Sequence, residues 1–205
     1  MKLFYVAALT GRSGSGKSYA SHLLADMGVA VIDGDAVARE IVEPGSAALE
    51  RLVRTFGRDI LFEDGTLNRR RLGDICFADP DKKAKLDSIT HPAIIERITQ
   101  MFDELKAAGK PYCVVEAPAL IESGLYSICD RCVMIEADEE REIERLIERD
   151  SLTREQARRR LSAQTSPDDV RPLCDLVIQN NGTVEEFERA VLSLKLQLDM
   201  WFNVN

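Results

Sequence analysis

Residues 11–18 read Gly-Arg-Ser-Gly-Ser-Gly-Lys-Ser, and no other stretch restricts the possible folds as strongly. Glycines at 11, 14 and 16 let the backbone curl through conformations that other residues avoid, so that successive N–H groups can point inward. The run satisfies G-x-x-x-x-G-K-[ST] in full. An apolar run, 3–9, precedes it and reads as a buried strand. Behind it Ala20, Leu23, Leu24 and Met27 recur at helical spacing, and Gly28 ends that helix. A glycine-rich turn matching by accident would lack both neighbours. Strand, loop and helix together make a phosphate cradle, with the positive end of the helix dipole near Gly16 beneath the anion. Lys17 is placed to reach the β- and γ-phosphates of a nucleotide, and the Ser18 hydroxyl to ligate Mg²⁺.

The rest of the chain extends this start into an α/β fold. Further apolar runs at 29–32, 112–115, 131–135 and 176–178 read as strands, several apolar at consecutive positions, as parallel strands covered on both faces are. Between them lie helical stripes: Ile143, Leu146 and Ile147, then Phe187, Ala190, Val191, Leu194 and Leu198 behind the capping box Thr183-x-x-Glu186. The alternation predicts three layers around a parallel five-stranded sheet. Two stretches interrupt it. No convincing strand occurs between 35 and 111, which predicts a helical insertion forming a substrate-binding subdomain. Residues 150–172, polar and arginine-rich with the capping box Thr153-x-x-Gln156, read as a small helical lid. The nucleotide-binding core is then 1–34, 112–149 and 173–205.

Composition excludes more than it selects. A net charge of −8 over 205 residues argues against non-specific nucleic-acid binding. Local arginine clusters can still receive an anionic small molecule. No apolar run reaches the 18 or so residues of a membrane helix. The apolar N-terminus looks like an export signal only superficially, because the glycine-rich loop follows directly without a small-residue cleavage site. A cytoplasmic protein without an obligate protein partner is expected. Five cysteines read as reduced thiols, and Cys129-x-x-Cys132 with only two histidines elsewhere is weak evidence for zinc or redox chemistry.

The remaining candidates each carry a second reading. Asp33-Gly34-Asp35 closes the second strand, where open α/β sheets bind ligands, so either aspartate can position or deprotonate an attacking hydroxyl. Asp is equally a turn former or helix cap. Glu116 ends the third strand, as an acid near Mg²⁺ often does, or is a structural acid. Arg145 and Arg149 share one helix face, from which an arginine can stabilise a transferring phosphoryl group. Arg158, Arg159 and Arg160 read as a solvated face, because three successive residues cannot all face one site. Arg69-Arg70-Arg71 is a solvated run or a basic patch for an anionic tail. His91-Pro92 is a substrate contact or a helix start, proline being favoured at the first helical position. No guanine-selective Asn-Lys-x-Asp segment occurs, and the chain is too short for an added motor module, so a small-molecule kinase is favoured over an ATP-driven switch.

These segments, in order, resemble the dephospho-coenzyme A kinase family: Leu9-Thr10-Gly11 with the loop, Asp33-Gly34-Asp35-Ala36-x-Ala38-Arg39, Val42-Glu43-Pro44-Gly45-Ser46, Asp64-Gly65-x-Leu67-x-Arg69, His91-Pro92, Pro118-x-Leu120-x-Glu122, Arg149-Asp150, Ala163-Gln164 and Val177-Ile178-x-Asn180. The match runs across nearly the whole chain. It implies transfer of the γ-phosphoryl group of ATP, with Mg²⁺, to the ribose 3′-hydroxyl of dephospho-coenzyme A. It prefers Asp35 over Asp33 as the catalytic carboxylate, with Lys17 and Arg145 acting on the phosphates. It places Thr10, Arg12, Ser13, Ser15, Tyr19, Arg149 and Asn180 on the nucleotide side. Asp33, Arg39, His91, Pro118 and Leu120 fall to the acceptor. The chain departs from the usual pattern at Arg12, Ser13, Tyr19 and Gly34, and at Ala117 and Ala119. Another nucleoside or nucleotide kinase is the alternative enzyme, distinguished by the acceptor consumed.

Overall fold

The computed structural model describes residues 4–77, 79–117 and 123–202, and the chain forms two compact units, Met1–Asp33 with Phe102–Asn205 and Gly34–Met101. In the first unit, strands β1 (Tyr5–Thr10), β2 (Ala30–Asp33), β3 (Tyr112–Glu116), β4 (Arg131–Glu136) and β5 (Leu176–Gln179) form one parallel sheet in the order β2-β3-β1-β4-β5. Consecutive apolar residues are explained by cover on both faces. Ala7 and Leu9 point to one side and Val6 and Ala8 to the other, and all are buried. On one face, α1 (Lys17–Asp26) and α9 (Val184–Trp201) bring Leu24, Phe187, Val191, Leu194 and Leu198 against Leu9, Val114 and Ile135.

Two of the helix starts are written locally. Thr183 Oγ1 accepts from the Glu186 N–H at 3.2 Å while Glu186 Oε2 accepts from the Thr183 N–H at 2.8 Å, closing the capping box of α9. Thr153 and Gln156 do the same for α7 (Arg154–Ser162). That helix packs Ala157 and Leu161 onto Ile143 and Leu146 of α6 (Glu139–Asp150), and a short α8 (Pro167–Val170) follows. The arginines of α7 lie along its outside, where Arg158 pairs with Glu140 at 3.2 Å and Arg160 with Asp150 at 2.8 Å, as a solvated face should.

The second unit is helical, built on α2 (Gly34–Glu40), α3 (Ala47–Phe56), α4 (Arg69–Phe77) and most of α5 (Pro80–Ala107). Its extended pairing among the described residues is one isolated antiparallel bridge, Leu61 to Leu67. Its own core gathers Val42, Leu49, Leu52, Ile60, Leu72 and Ile89. One expectation is corrected here. His91-Pro92 does not start a helix, because α5 runs through Pro92 without interruption. Pro92 deprives that helix of one N–H, a cost of about 3 kcal/mol that apolar packing along so long a helix can offset.

Candidate active site

The carboxyl edge of the sheet collects the polar residues. Along it stand Asp33 at the end of β2, Glu116 of β3 in register beside it, Thr10 ending β1, and Asn180 just beyond β5. The glycine-rich loop leaves β1 at that edge and turns into α1. Its geometry demands glycine at two points in particular. Gly16 has φ 102°, and a Cβ there would collide with Asn180 Nδ2; Gly14 has φ 86°, and a Cβ would lie 2.6 Å from the Glu142 carbonyl oxygen.

The loop is held from behind by two side chains from distant elements. Arg145 Nη1 donates to the carbonyls of Gly14 (3.0 Å) and Ser15 (3.3 Å), and its Nη2 to that of Asn180 (2.9 Å). Asn180 Nδ2 donates to the same Ser15 carbonyl at 2.8 Å. With these carbonyls tied back, the first amides of α1, which lack intrahelical acceptors, define the anion-binding end of the helix. Burial, and then Arg141, pulls Arg145 below the usual arginine range, and it remains a cation at any physiological pH.

A cleft of about 490 Å³ opens on this loop, lined by Gly14, Gly16, Lys17, Ser18, Tyr19, Arg145, Glu148 and Arg149. Nucleotide sites fall in this size range. Tyr19 lines it with 42% of its surface exposed, stacks on Phe187 at 6.2 Å between ring centroids, and donates to Glu188 Oε1 at 2.5 Å. Arg149 is held in a two-pronged pair with Asp150, both contacts 2.8 Å. Ser18 Oγ donates to Glu116 Oε1 at 2.5 Å, and Glu116 is 8% exposed. A hydroxyl beside a buried carboxylate is an all-oxygen pair suited to Mg²⁺, which keeps several of its waters and needs few protein ligands. No cluster of three or more His, Cys, Asp or Glu fit for a metal occurs among the described residues.

Arg12 and Ser13, two of the positions where the loop departs from the usual pattern, find partners far along the chain. The Arg12 guanidinium lies 2.5 Å from Glu142 Oε2 and 3.3 Å from Glu139 Oε2. Burial pushes the Glu142 carboxyl above its usual range while Arg12 opposes the shift. The Ser13 N–H donates to Gln164 Oε1 at 2.9 Å, so a residue beyond α7 reaches the loop. Sequence reasoning did not single out Gln164, Glu142, Glu139 or Glu148 as site residues. Gln164 stood within the Ala163-Gln164 match, and nothing local marked the acids.

The second unit has a cavity of its own, about 350 Å³, with apolar walls that include Val42, Leu52, Leu72, Leu86 and Ile94 and with Arg69, Lys83, Asp87 and His91 among its polar lining. His91 Nε2 is 3.6 Å from Asp87 Oδ1. Arg69 Nη2 donates to the carbonyls of Ala38 and Arg39, each at 3.4 Å. Asp35 and Arg39 are exposed in α2, Asp35 in its first turn. Pro118 and Leu120 lie outside the described residues.

A family model described as Dephospho-CoA kinase matches residues 5–186, most of the chain. The chain belongs to the dephospho-CoA kinase family. A relative named Dephospho-CoA kinase from Corynebacterium glutamicum is 44% identical over 179 residues, covering 87% of this chain and 89% of that protein. Among solved structures, TT1252 from Thermus thermophilus superposes with a TM-score of 0.83 at 30% identity, covering 96% of this chain and 99% of that one. The dephospho-CoA kinase from Campylobacter jejuni superposes at 0.72 with 24% identity over 95% and 97% of the two chains, which supports the fold. The sheet and loop are those of a three-layer P-loop kinase, and the family phosphorylates dephospho-CoA in the final step of coenzyme A synthesis. No helix among the described residues is long and apolar enough to cross a membrane.

Proposed function

We propose that this chain moves the γ-phosphoryl group of ATP, taken as its Mg²⁺ complex, onto the ribose 3′-hydroxyl of dephospho-CoA. The observation that carries the nucleotide half is the loop whose Gly14 and Ser15 carbonyls are tied back by Arg145 and Asn180 beside an open cleft. The triphosphate lies on the loop and the first turn of α1, with Lys17 at its β- and γ-phosphates and Tyr19 at the cleft wall. Arg145 and Arg149 add positive charge beside the transferring group. Ser18 and Glu116 would hold Mg²⁺, which when bound neutralises developing charge on the phosphate oxygens.

Asp35 acts on the acceptor's hydroxyl in this scheme: its carboxylate receives or orients the proton of that attacking group. Asp33, Arg39, His91, Pro118 and Leu120 bind dephospho-CoA, in part within the second unit, whose apolar cavity with basic side chains suits a molecule with an apolar arm and phosphates. The 150–172 segment serves as a lid. The enzyme is expected to work in the cytoplasm without an obligate protein partner.

The test is ADP release with dephospho-CoA, adenosine, AMP or no acceptor, together with coenzyme A formation. Release that depends on dephospho-CoA alone supports the reading. Release with another acceptor replaces the substrate, and release independent of any acceptor replaces the reaction by ATP hydrolysis. Asp35→Asn should lower kcat about 10²- to 10⁴-fold, the usual worth of a positioned base, with ATP affinity retained. Near-normal turnover in that variant would remove Asp35 from the chemistry.

A further inference from the structure

Four of the five cysteines lie in the first unit, and two of them meet. Cys132 Sγ on β4 and Cys174 Sγ just before β5 are 3.2 Å apart. The local C-x-x-C partner, Cys129, is directed elsewhere, with its thiol donating to the Leu125 carbonyl at 3.2 Å. The backbones that carry the pair are fixed to each other. The Cys132 N–H donates to Asp175 Oδ2 and the Asp175 N–H donates to the Cys132 carbonyl, both at 2.8 Å. A disulfide needs its sulfurs at about 2.0 Å and joins Cα atoms typically 4.4 to 6.8 Å apart. From 3.2 Å the two sulfurs have about 1.2 Å left to close.

We propose that Cys132 and Cys174 form a reversible disulfide, made by exchange with a low-molecular-weight disulfide. This assignment goes beyond the kinase reaction and is independent of it. Cys174 is the entry point because it is half-buried in an exposed run, whereas Cys132 is 1% exposed. The contact between the two sulfurs holds Cys174 below the usual thiol range and, with burial, pushes Cys132 well above it. Cys113, fully buried, is pushed up to about 12 and does not compete.

The exchange balances in two displacements. The Cys174 thiolate attacks one sulfur of RSSR, forming Cys174–S–S–R and releasing RS⁻, which takes a proton from water. Cys132 then loses its proton to water and attacks Cys174 Sγ, forming the protein disulfide and releasing the second RS⁻. Two protein thiols are oxidised, and one RSSR is reduced to two RSH. The new bond ties β4 to the turn at Arg171–Leu173 that returns the chain to β5.

The test uses glutathione disulfide on the reduced full-length chain, a quench with N-ethylmaleimide, and peptide mapping by mass spectrometry. A Cys132–Cys174 linked peptide should accumulate faster as pH rises and disappear on adding dithiothreitol. Cys132→Ser should retain one glutathionyl group on Cys174. Cys174→Ser should form no link and leave Cys132 unmodified. Because Cys132 is in the core, the wild-type map decides even where its variant misfolds. A stable glutathionyl group on wild-type Cys174, a Cys129–Cys132 bond, or no reaction at all would each overturn the proposal.

Discussion

At the scale of single residues, the loop depends on side chains that never need to touch phosphate. Asn180 is 6% exposed and spends its amide on the Ser15 carbonyl. Asn180→Ala leaves that carbonyl to Arg145 alone and should cost about 1 to 3 kcal/mol, the usual penalty for an unmade buried hydrogen bond. The loss should fall on the nucleotide, raising the ATP dissociation constant roughly tenfold for each 1.4 kcal/mol expressed there. Calorimetric titration checks this. A lower melting temperature with unchanged ATP affinity would make Asn180 a purely structural residue. Arg145 shows why role and position diverge. Its placement on one helix face with Arg149 was legible, but a one-dimensional pattern does not show that its guanidinium would be spanned across Gly14, Ser15 and Asn180.

At the scale of elements, the strongest local signals concern helix starts. The α9 box is built from residues three apart, so it forms before any tertiary contact is needed. Thr183→Ala should destabilise the chain by about 1 kcal/mol and lower its melting temperature by roughly 2 to 4 °C. Turnover at 25 °C should stay close to normal, because a loss of about 1 kcal/mol leaves the chain folded there; a thermal melt beside an ADP-release assay reads both. The long α5 shows the opposite case. Pro92 favours a helix boundary on local grounds, yet Ile89 and Ile98 on either side of it are buried, and burial carries the helix through. Tertiary packing there overrides the local preference of one residue.

At the scale of the molecule, ligand and fold are linked. Anything that binds only the folded chain stabilises it, by about 2.7 kcal/mol at a hundred times its dissociation constant. ATP with Mg²⁺ should therefore raise the melting temperature, chelation of the metal should reduce the gain, and Lys17→Ala should abolish most of it. An equal gain with and without Mg²⁺ would separate the Ser18–Glu116 pair from metal binding.

The sequence by itself determined the sheet, the loop and the helix caps, because each rests on short-range rules: strand runs covered on both faces, glycines where φ is positive, and capping residues at fixed offsets. Strand ends shifted by only a residue or so, as at Asp33, Glu116, Glu136 and Gln179. The family resemblance was also legible, since its motifs keep their order along the chain. Only the tertiary structure decided which distant groups meet. Parallel strands in the order β2-β3-β1-β4-β5 bring Cys174 to Cys132 rather than to its near neighbour Cys129. They also set Asn180 against Ser15, and Glu116 against Ser18. Arg12 finds Glu139 and Glu142, and Ser13 finds Gln164, for the same reason. Such pairings follow from how the strands are ordered and crossed over, and periodicity records only which face a residue shows, not which partner waits there.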